Sequence, residues 1–159
     1  NNTTKMDKYD KLKKIKNNDI EEFNLKDTKT IGKLVNINDD TTFVFIFVLS
    51  KVIVKFNCKL YGVTLSPNKN INKFKNKMLQ LCTDQSIDID KCYSEDEISN
   101  IIDKNEVLIR IICDKFDLSG KLLVKLFDIN DNNDFSYNQI LINENLVNEK
   151  IEDKFINLN

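Results

Sequence analysis

The sequence predicts an α+β fold in which a five-stranded β-barrel carries helices after its third and fifth strands. Five segments are rich in Val, Ile, Leu, Phe and Thr, and polar breaks separate them, as expected of half-buried strands. Other segments repeat apolar residues at the three- and four-residue spacing of a helix face. The 159 residues, of which 41% are hydrophobic, suffice for one domain with its own core.

The first three predicted strands form a meander at residues 31–37, 41–49 and 51–63. The polar residues at 38–40 and 50–51 stand where two tight turns belong. Phe43, Phe45 and Phe47 alternate along the second strand, so they share one of its faces. We expect that face to be core.

The spacing of apolar residues predicts a helix over 70–82, which leads into a polar insertion at 83–97. Within the insertion, Ser94 and the acidic residues that follow it are typical of a helix N-terminus.

Two further strands are predicted at 106–113 and 121–127, and a last helix at 140–147. The turn between these strands contains Gly120, which supplies the backbone freedom of a tight turn. The order of strands and helices is typical of a small OB-type barrel.

The composition excludes several classes of chemistry. The formal net charge is −1, from 24 basic and 25 acidic residues, so a charged ligand must meet a local patch. The absence of histidine excludes Ser-His and Cys-His nucleophile pairs and histidine metal ligands. Four cysteines lack the CxxC spacing of zinc sites, and we expect free thiols, with Cys58 and Cys113 in the core.

Residues 1–30 form a lysine-rich arm. Apolar residues recur in it every three positions, at Met6, Tyr9, Leu12 and Ile15. This spacing predicts a short helix that lies on the domain, and the alternative is a lysine arm that contacts phosphate or an acidic partner. Residues 149–159 form a tail, which we expect to dock through its apolar residues, Ile151, Phe155 and Leu158.

Four motifs follow one another along residues 31–148, at 38–41, 59–67, 117–124 and 136–147. They read Asn-Asp-Asp-Thr, Lys-Leu-Tyr-Gly-Val-Thr-Leu-Ser-Pro, Asp-Leu-Ser-Gly-Lys-Leu-Leu-Val, and Ser-Tyr-Asn-Gln-Ile-Leu-Ile with Asn-Leu-Val after it. With these motifs, residues 31–148 resemble the staphylococcal-nuclease-like (thermonuclease) domain. The resemblance implies an OB barrel and, in active members, calcium-dependent hydrolysis of DNA and RNA.

The resemblance also implies which positions correspond to the catalytic set of the family. Its two calcium-binding aspartates fall on Asp40, which is retained, and on Thr64, a poor ligand for a hard cation. The glutamate that activates water falls on Pro67, or on Asn68 if one residue is inserted, and neither accepts a proton. We therefore expect a pseudoenzyme.

Three further positions define an expected nucleic-acid contact. By the same resemblance, the two phosphate-binding arginines fall on Lys59 and Lys121, which keep the charge but lose the planar fork. Tyr61 lies two residues after Lys59 and offers a ring for base stacking.

A competing motif imitates the calcium loop of an EF-hand. Its oxygen-bearing side chains alternate in sequence as Asp128, Asn130, Asn132 and Asp134. Asn133 and Gln139 replace the glycine and the closing acid of such a loop, and residues 121–127 would have to be a helix. Calcium at this loop is the alternative to our expectation that the protein uses no cofactor.

Three functions remain open at this level. The first is a catalytically inactive structural or interaction module with a protein partner, in a virion or nucleoprotein if the Asn- and Lys-rich composition reflects a large DNA virus. The second is a module that binds single-stranded DNA or RNA, and the third is a divergent calcium-dependent nuclease. The longest apolar stretch, 43–49, is far shorter than the roughly 20 residues of a membrane span, so we expect an intracellular protein without membrane contact.

Overall fold

Five strands close into one barrel in the computed structural model, which describes residues 2–39, 41–130 and 135–151, with side chains from residue 7 onward. The barrel strands are β1 Lys29–Ile37, β2 Phe43–Leu49, β3 Val52–Leu60, β5 Ile109–Phe116 and β6 Leu122–Asp128. Two short strands, β4 Val63–Thr64 and β7 Asn148–Glu149, pair outside the barrel.

The barrel order is β1-β2-β3-β6-β5, with β5 pairing back to β1. All neighbours are antiparallel except β3 and β6, which run parallel. This closed mixed barrel confirms the predicted five-stranded α+β fold and is compatible with an OB fold.

Within the described residues, four α-helices accompany the barrel, α1 Asn2–Lys14, α2 Ile71–Cys82, α3 Glu95–Asp103 and α4 Tyr137–Asn143. The predicted helix after the third strand is α2, and α3 begins after Ser94 as predicted, because the Ser94 hydroxyl accepts from the Glu97 amide. None of the described helices has the length and hydropathy that a bilayer crossing requires.

The closing helix is shorter than predicted. It ends at Asn143 rather than at 147, because Asn145 has a φ of 60° and turns the chain out of the helix. The turn brings Val147 into the core and the next two residues into β7.

The barrel interior is filled by the phenylalanine face of β2, as predicted. Phe43, Phe45 and Phe47 are at most 2% exposed. Phe43 stacks on Phe74 of α2 with ring centroids 5.6 Å apart, so α2 caps the barrel.

All four cysteines are free in the structure, as predicted. Cys58 and Cys113 lie in the core, and burial raises the pKa of their thiols to about 12 and about 11. These thiols therefore act as small apolar core residues.

The N-terminal helix forms, but its apolar stripe does not pack on the domain as predicted. Tyr9, Leu12 and Ile15 are 54%, 64% and 41% exposed. A spacing of three residues turns about 300° around a helix of 3.6 residues per turn, so the stripe winds around the axis and forms no single face. At the other end, Ile151 is exposed, and the remaining tail residues for which docking was predicted lie outside the described residues.

Candidate functional site

A groove lies where the end of β3 meets the turn between β5 and β6. It encloses about 460 Å³, and the residues that shape it include Lys59, Tyr61, Lys115, Phe116, Asp117 and Lys150. We call it the Lys59 groove. Its wall combines ammonium groups with aromatic rings.

The alternation of β3 sends Lys59 into this groove. Cys58 and Leu60 on either side are buried, so the side chain between them points outward. The backbone of Lys59 is paired with Leu123 of β6, and the Tyr61 amide donates to the Val124 carbonyl at 2.8 Å. The end of β3 is thus held rigidly against β6.

The opposite wall is the turn between β5 and β6, which Asp117 organises. Its Oδ1 accepts from the Ser119 amide at 2.9 Å, the Ser119 hydroxyl at 2.8 Å and the Lys121 amide at 2.9 Å. Gly120 completes the turn with a φ of 83°. These bonds fix the carboxylate so that its second oxygen faces the groove.

That second oxygen, Oδ2 of Asp117, lies 3.1 Å from the Lys59 ammonium. Burial alone would raise the pKa of Asp117, but hydrogen bonds from Ser119, the Lys121 amide and Lys59 outweigh it and hold the pKa below its ordinary value. Asp117 is therefore ionised at neutral pH, and the lysine and carboxylate nearly cancel each other's charge.

Lys115 and Asp114 are neighbours in sequence, yet both line the Lys59 groove. Consecutive strand residues normally face opposite sides. The pairing of β5 with β6 slips between Cys113 and Phe116, and such a bulge re-aims side chains. The alternation of apolar residues does not predict this bulge, because it predicts a strand that ends at Cys113.

Tyr61 separates the Lys59 groove from an adjoining cleft. The Lys125 ammonium lies 4.6 Å from the Tyr61 ring centroid in that cleft. Asn138 of α4 fixes the backbone here, since its Nδ2 donates to the Tyr61 carbonyl at 2.9 Å. The ring thus stands on a firmly held backbone, with the Lys59 groove on one side and Lys125 on the other.

Two of the predicted site residues, Lys59 and Thr64, line a second, smaller cleft of about 230 Å³. Thr64 is held there by pairing of β4 with Asn148 of β7. Pro67 lies outside this lining and is exposed. Asp40, the retained aspartate of the resemblance, lies outside the described residues.

Lys121 lies at the end of the Asp117 turn, just before β6. Its carbonyl accepts from the Asp117 amide at 2.8 Å, and its side chain is partly buried. The structure therefore brings Lys59, Tyr61 and the backbone of Lys121 close to one turn.

The described part of the smaller cleft does not fit a calcium ion. Ca²⁺ takes six to eight oxygen ligands, with carboxylates among them. No carboxylate stands among the described residues that line this cleft, and across the described chain no cluster of three acidic or thiol side chains could hold a metal. Thr64, which the resemblance aligns with an aspartate, is neutral.

The EF-hand alternative lacks the entering helix that such a loop requires. The segment before Asp128 is strand β6, whereas an EF-hand needs an entering helix. The Asp128 carboxylate accepts from the Asn130 amide at 2.7 Å, while Asn132 and Asp134 lie outside the described residues. This segment forms a strand rather than a helix because alternate residues of β6 are buried in the barrel.

Sequence reasoning missed two basic residues of the Lys59 groove, Lys115 and Lys150. Lys150 arrives through β7, and its amide donates to the Gly62 carbonyl at 2.7 Å. A strand of two residues is too short to show the alternation of apolar and polar residues, so β4 and β7 could not be predicted from the sequence.

Comparison of the chain with family models, with curated proteins and with solved structures finds no match in any of the three.

Proposed function

We propose that this chain is a non-catalytic barrel module that binds single-stranded nucleic acid along the Lys59 groove. The observation that carries the proposal is the convergence of Lys59, Lys115 and Lys150 on a groove walled by Tyr61 and Phe116. Lysines that follow a phosphate backbone and rings that stack on bases are the two elements by which OB barrels bind single strands.

The charge of the chain supports a local site. The protein as a whole is nearly neutral, with a net charge of −1, so it has no general attraction for polyanions. Three lysines and two aspartates, Asp114 and Asp117, line the Lys59 groove, and Lys125 adds a further positive charge across Tyr61. A strand would bind where this excess lies.

The absence of hydrolysis is proposed on the residue types at the smaller cleft. Thr64 and Pro67 stand where the staphylococcal-nuclease-like resemblance requires a carboxylate ligand and a general base. Loss of a general base alone costs roughly 10²–10⁴ in rate. We infer that the barrel is a nuclease-like domain that retained strand binding and lost catalysis.

Salt-dependent binding of a labelled oligothymidylate tests the proposal. Three phosphate contacts predict a slope of log K against log salt of about −2, or roughly 20-fold weaker binding at 200 mM than at 50 mM salt. In the Lys59→Gln, Lys115→Gln double variant the slope is expected to be shallower by about 1.4, because each lost contact removes about 0.7 from its magnitude. Fluorescence anisotropy measures both.

The matched control is the Lys51→Gln, Lys104→Gln double variant, which removes two exposed lysines outside the groove. It is expected to bind as the wild type does. Equal losses in both double variants would contradict the groove, and calcium-dependent cleavage of the oligonucleotide that Asp40→Ala abolishes would contradict the absence of catalysis.

A second candidate function is an interaction module in a larger assembly. Phe43, Phe45 and Phe47 cannot serve it, since they are core, but Val52 and Ile53 at the end of the β2–β3 hairpin are 59% and 71% exposed. A sedimentation coefficient that rises with concentration and that Ile53→Lys holds constant would favour self-assembly through this patch. A constant coefficient for the wild type would leave the groove as the functional surface.

A further inference from the structure

We propose that Asp117 makes the Lys59 groove a site for the internal phosphodiesters of a strand and removes any preference for terminal phosphates. This inference rests on the proposed function and names the phosphate that the groove accepts. It is carried by the ion pair between Asp117 Oδ2 and the Lys59 ammonium inside the groove.

The pair matters because it lies where a phosphate would meet Lys59. The Lys59 side chain is 46% exposed and that of Asp117 is 20% exposed, so a ligand reaches the ammonium beside an ionised carboxylate. Asp117 cannot swing away freely, because its Oδ1 holds the Ser119 hydroxyl and the amides of Ser119 and Lys121.

The consequence is a charge balance. An internal phosphodiester carries one negative charge, whereas a terminal phosphate carries about 1.5 to 2 at pH 7. Next to a lone lysine, a terminal phosphate would be attracted more strongly than an internal phosphodiester. Beside a lysine and a carboxylate, the added attraction to the ammonium and the added repulsion from the carboxylate nearly cancel. At the Lys59–Asp117 pair, the extra charge of a strand end or a free nucleotide therefore adds little to binding, and Lys115, Lys150 and Asp114 are the same in the Asp117 and Lys59 variants compared below.

The ratio of affinities for a 5′-phosphorylated and an unphosphorylated oligothymidylate tests this. For the wild type we expect a ratio near one. Asp117→Asn keeps an oxygen to accept the turn's hydrogen bonds and removes the charge, so it is expected to bind both strands more tightly, by about two- to five-fold. Its ratio is expected to rise to about two or more in favour of the phosphorylated strand.

Lys59→Gln is expected to shift the ratio of affinities in the opposite direction. It removes the ammonium that pairs with Asp117, so the ratio is expected to fall below that of the wild type. This second variant keeps the test decisive if Asp117→Asn alters the turn, which a thermal unfolding midpoint checks. Asp114→Asn is the matched control, since Asp114 lines the same groove and its Oδ1 accepts from the Lys115 amide.

The outcomes separate the two proposals. If the wild type binds neither oligonucleotide at low salt, the proposed function fails and the inference fails with it. If the wild type binds through its lysines but prefers the phosphorylated strand, the inference alone is overturned. It is also overturned if Asp114→Asn changes the ratio as much as Asp117→Asn does, because the net charge of the groove rather than the ion pair would then determine the ratio.

Discussion

Replacing Asn138 with alanine is expected to lower the free energy of unfolding by about 3–5 kcal/mol. Asn138 is 4% exposed and makes three hydrogen bonds to the backbone of β6 and of Tyr61. Its Nδ2 donates to the carbonyls of Tyr61 and Val124, and its Oδ1 accepts from the Leu126 amide at 3.1 Å. Alanine removes the partner of the Leu126 amide and of the Tyr61 carbonyl, at about 1–3 kcal/mol each before relaxation, while the Val124 carbonyl keeps its bond from the Tyr61 amide.

Urea unfolding followed by far-UV circular dichroism measures this loss. Asn143→Ala is the matched control, because Asn143 lies on the same helix, is exposed, and accepts only from the Gln139 side chain among the bonds observed. It is expected to cost less than about 0.5 kcal/mol. A loss below about 1 kcal/mol for Asn138→Ala would show that α4 does not anchor the end of β3.

Gly32→Ala is expected to destabilise the protein by about 3 kcal/mol, through overpacking inside the barrel. A Cβ at Gly32 would stand 2.2 Å from the Ile46 carbonyl oxygen and 2.7 Å from the Phe47 Cβ. Both belong to β2, which is paired with β1 at this point, so neither atom can move without opening the ladder.

Gly120→Ala serves as a comparison, because it introduces backbone strain without a steric clash. Gly120 has a φ of 83° but nothing within 4 Å of its added Cβ, so only the left-handed conformation is penalised, at about 1–2 kcal/mol. The unfolding midpoints of the two variants in urea compare them directly. Equal losses would mean that the crowding at Gly32 is relieved by movement of β2.

Much of the barrel could be predicted from local pattern. Because a strand has a two-residue period, Phe43, Phe45 and Phe47 share one face of β2. The hydrophobic effect favours burial of such an apolar face, and all three side chains are buried. The start of α3 was predictable for the same reason, because Ser94 satisfies an amide that the helix itself leaves free.

The remaining features depend on contacts between distant segments. The end of α4 is set by the φ of Asn145, and the pairing of Val63 with Glu149 is too short to leave a pattern in sequence. The bulge in β5 shifts its register over a few residues, which periodicity does not resolve.

The candidate site also has features that the sequence predicted and features that depend on contacts between distant segments. Lys59 and Tyr61 were singled out from the sequence, and the structure places both on one groove. The ion pair of Lys59 with Asp117 was not foreseen, because it joins β3 to a turn 58 positions later in the numbering (117 − 59). Only the closed barrel brings them together.

Occupation of the Lys59 groove by a strand is tested most directly through a single tryptophan. The chain contains none, so Tyr61→Trp places one fluorophore on the groove wall, and Tyr93→Trp places one by Lys91, on another surface. Titration with oligothymidylate at low salt is expected to quench the fluorescence of the Tyr61→Trp variant as bases stack on the ring, and to leave that of Tyr93→Trp unchanged. Binding detected by anisotropy without quenching at position 61, or equal quenching at both positions, would contradict the groove as the nucleic-acid site.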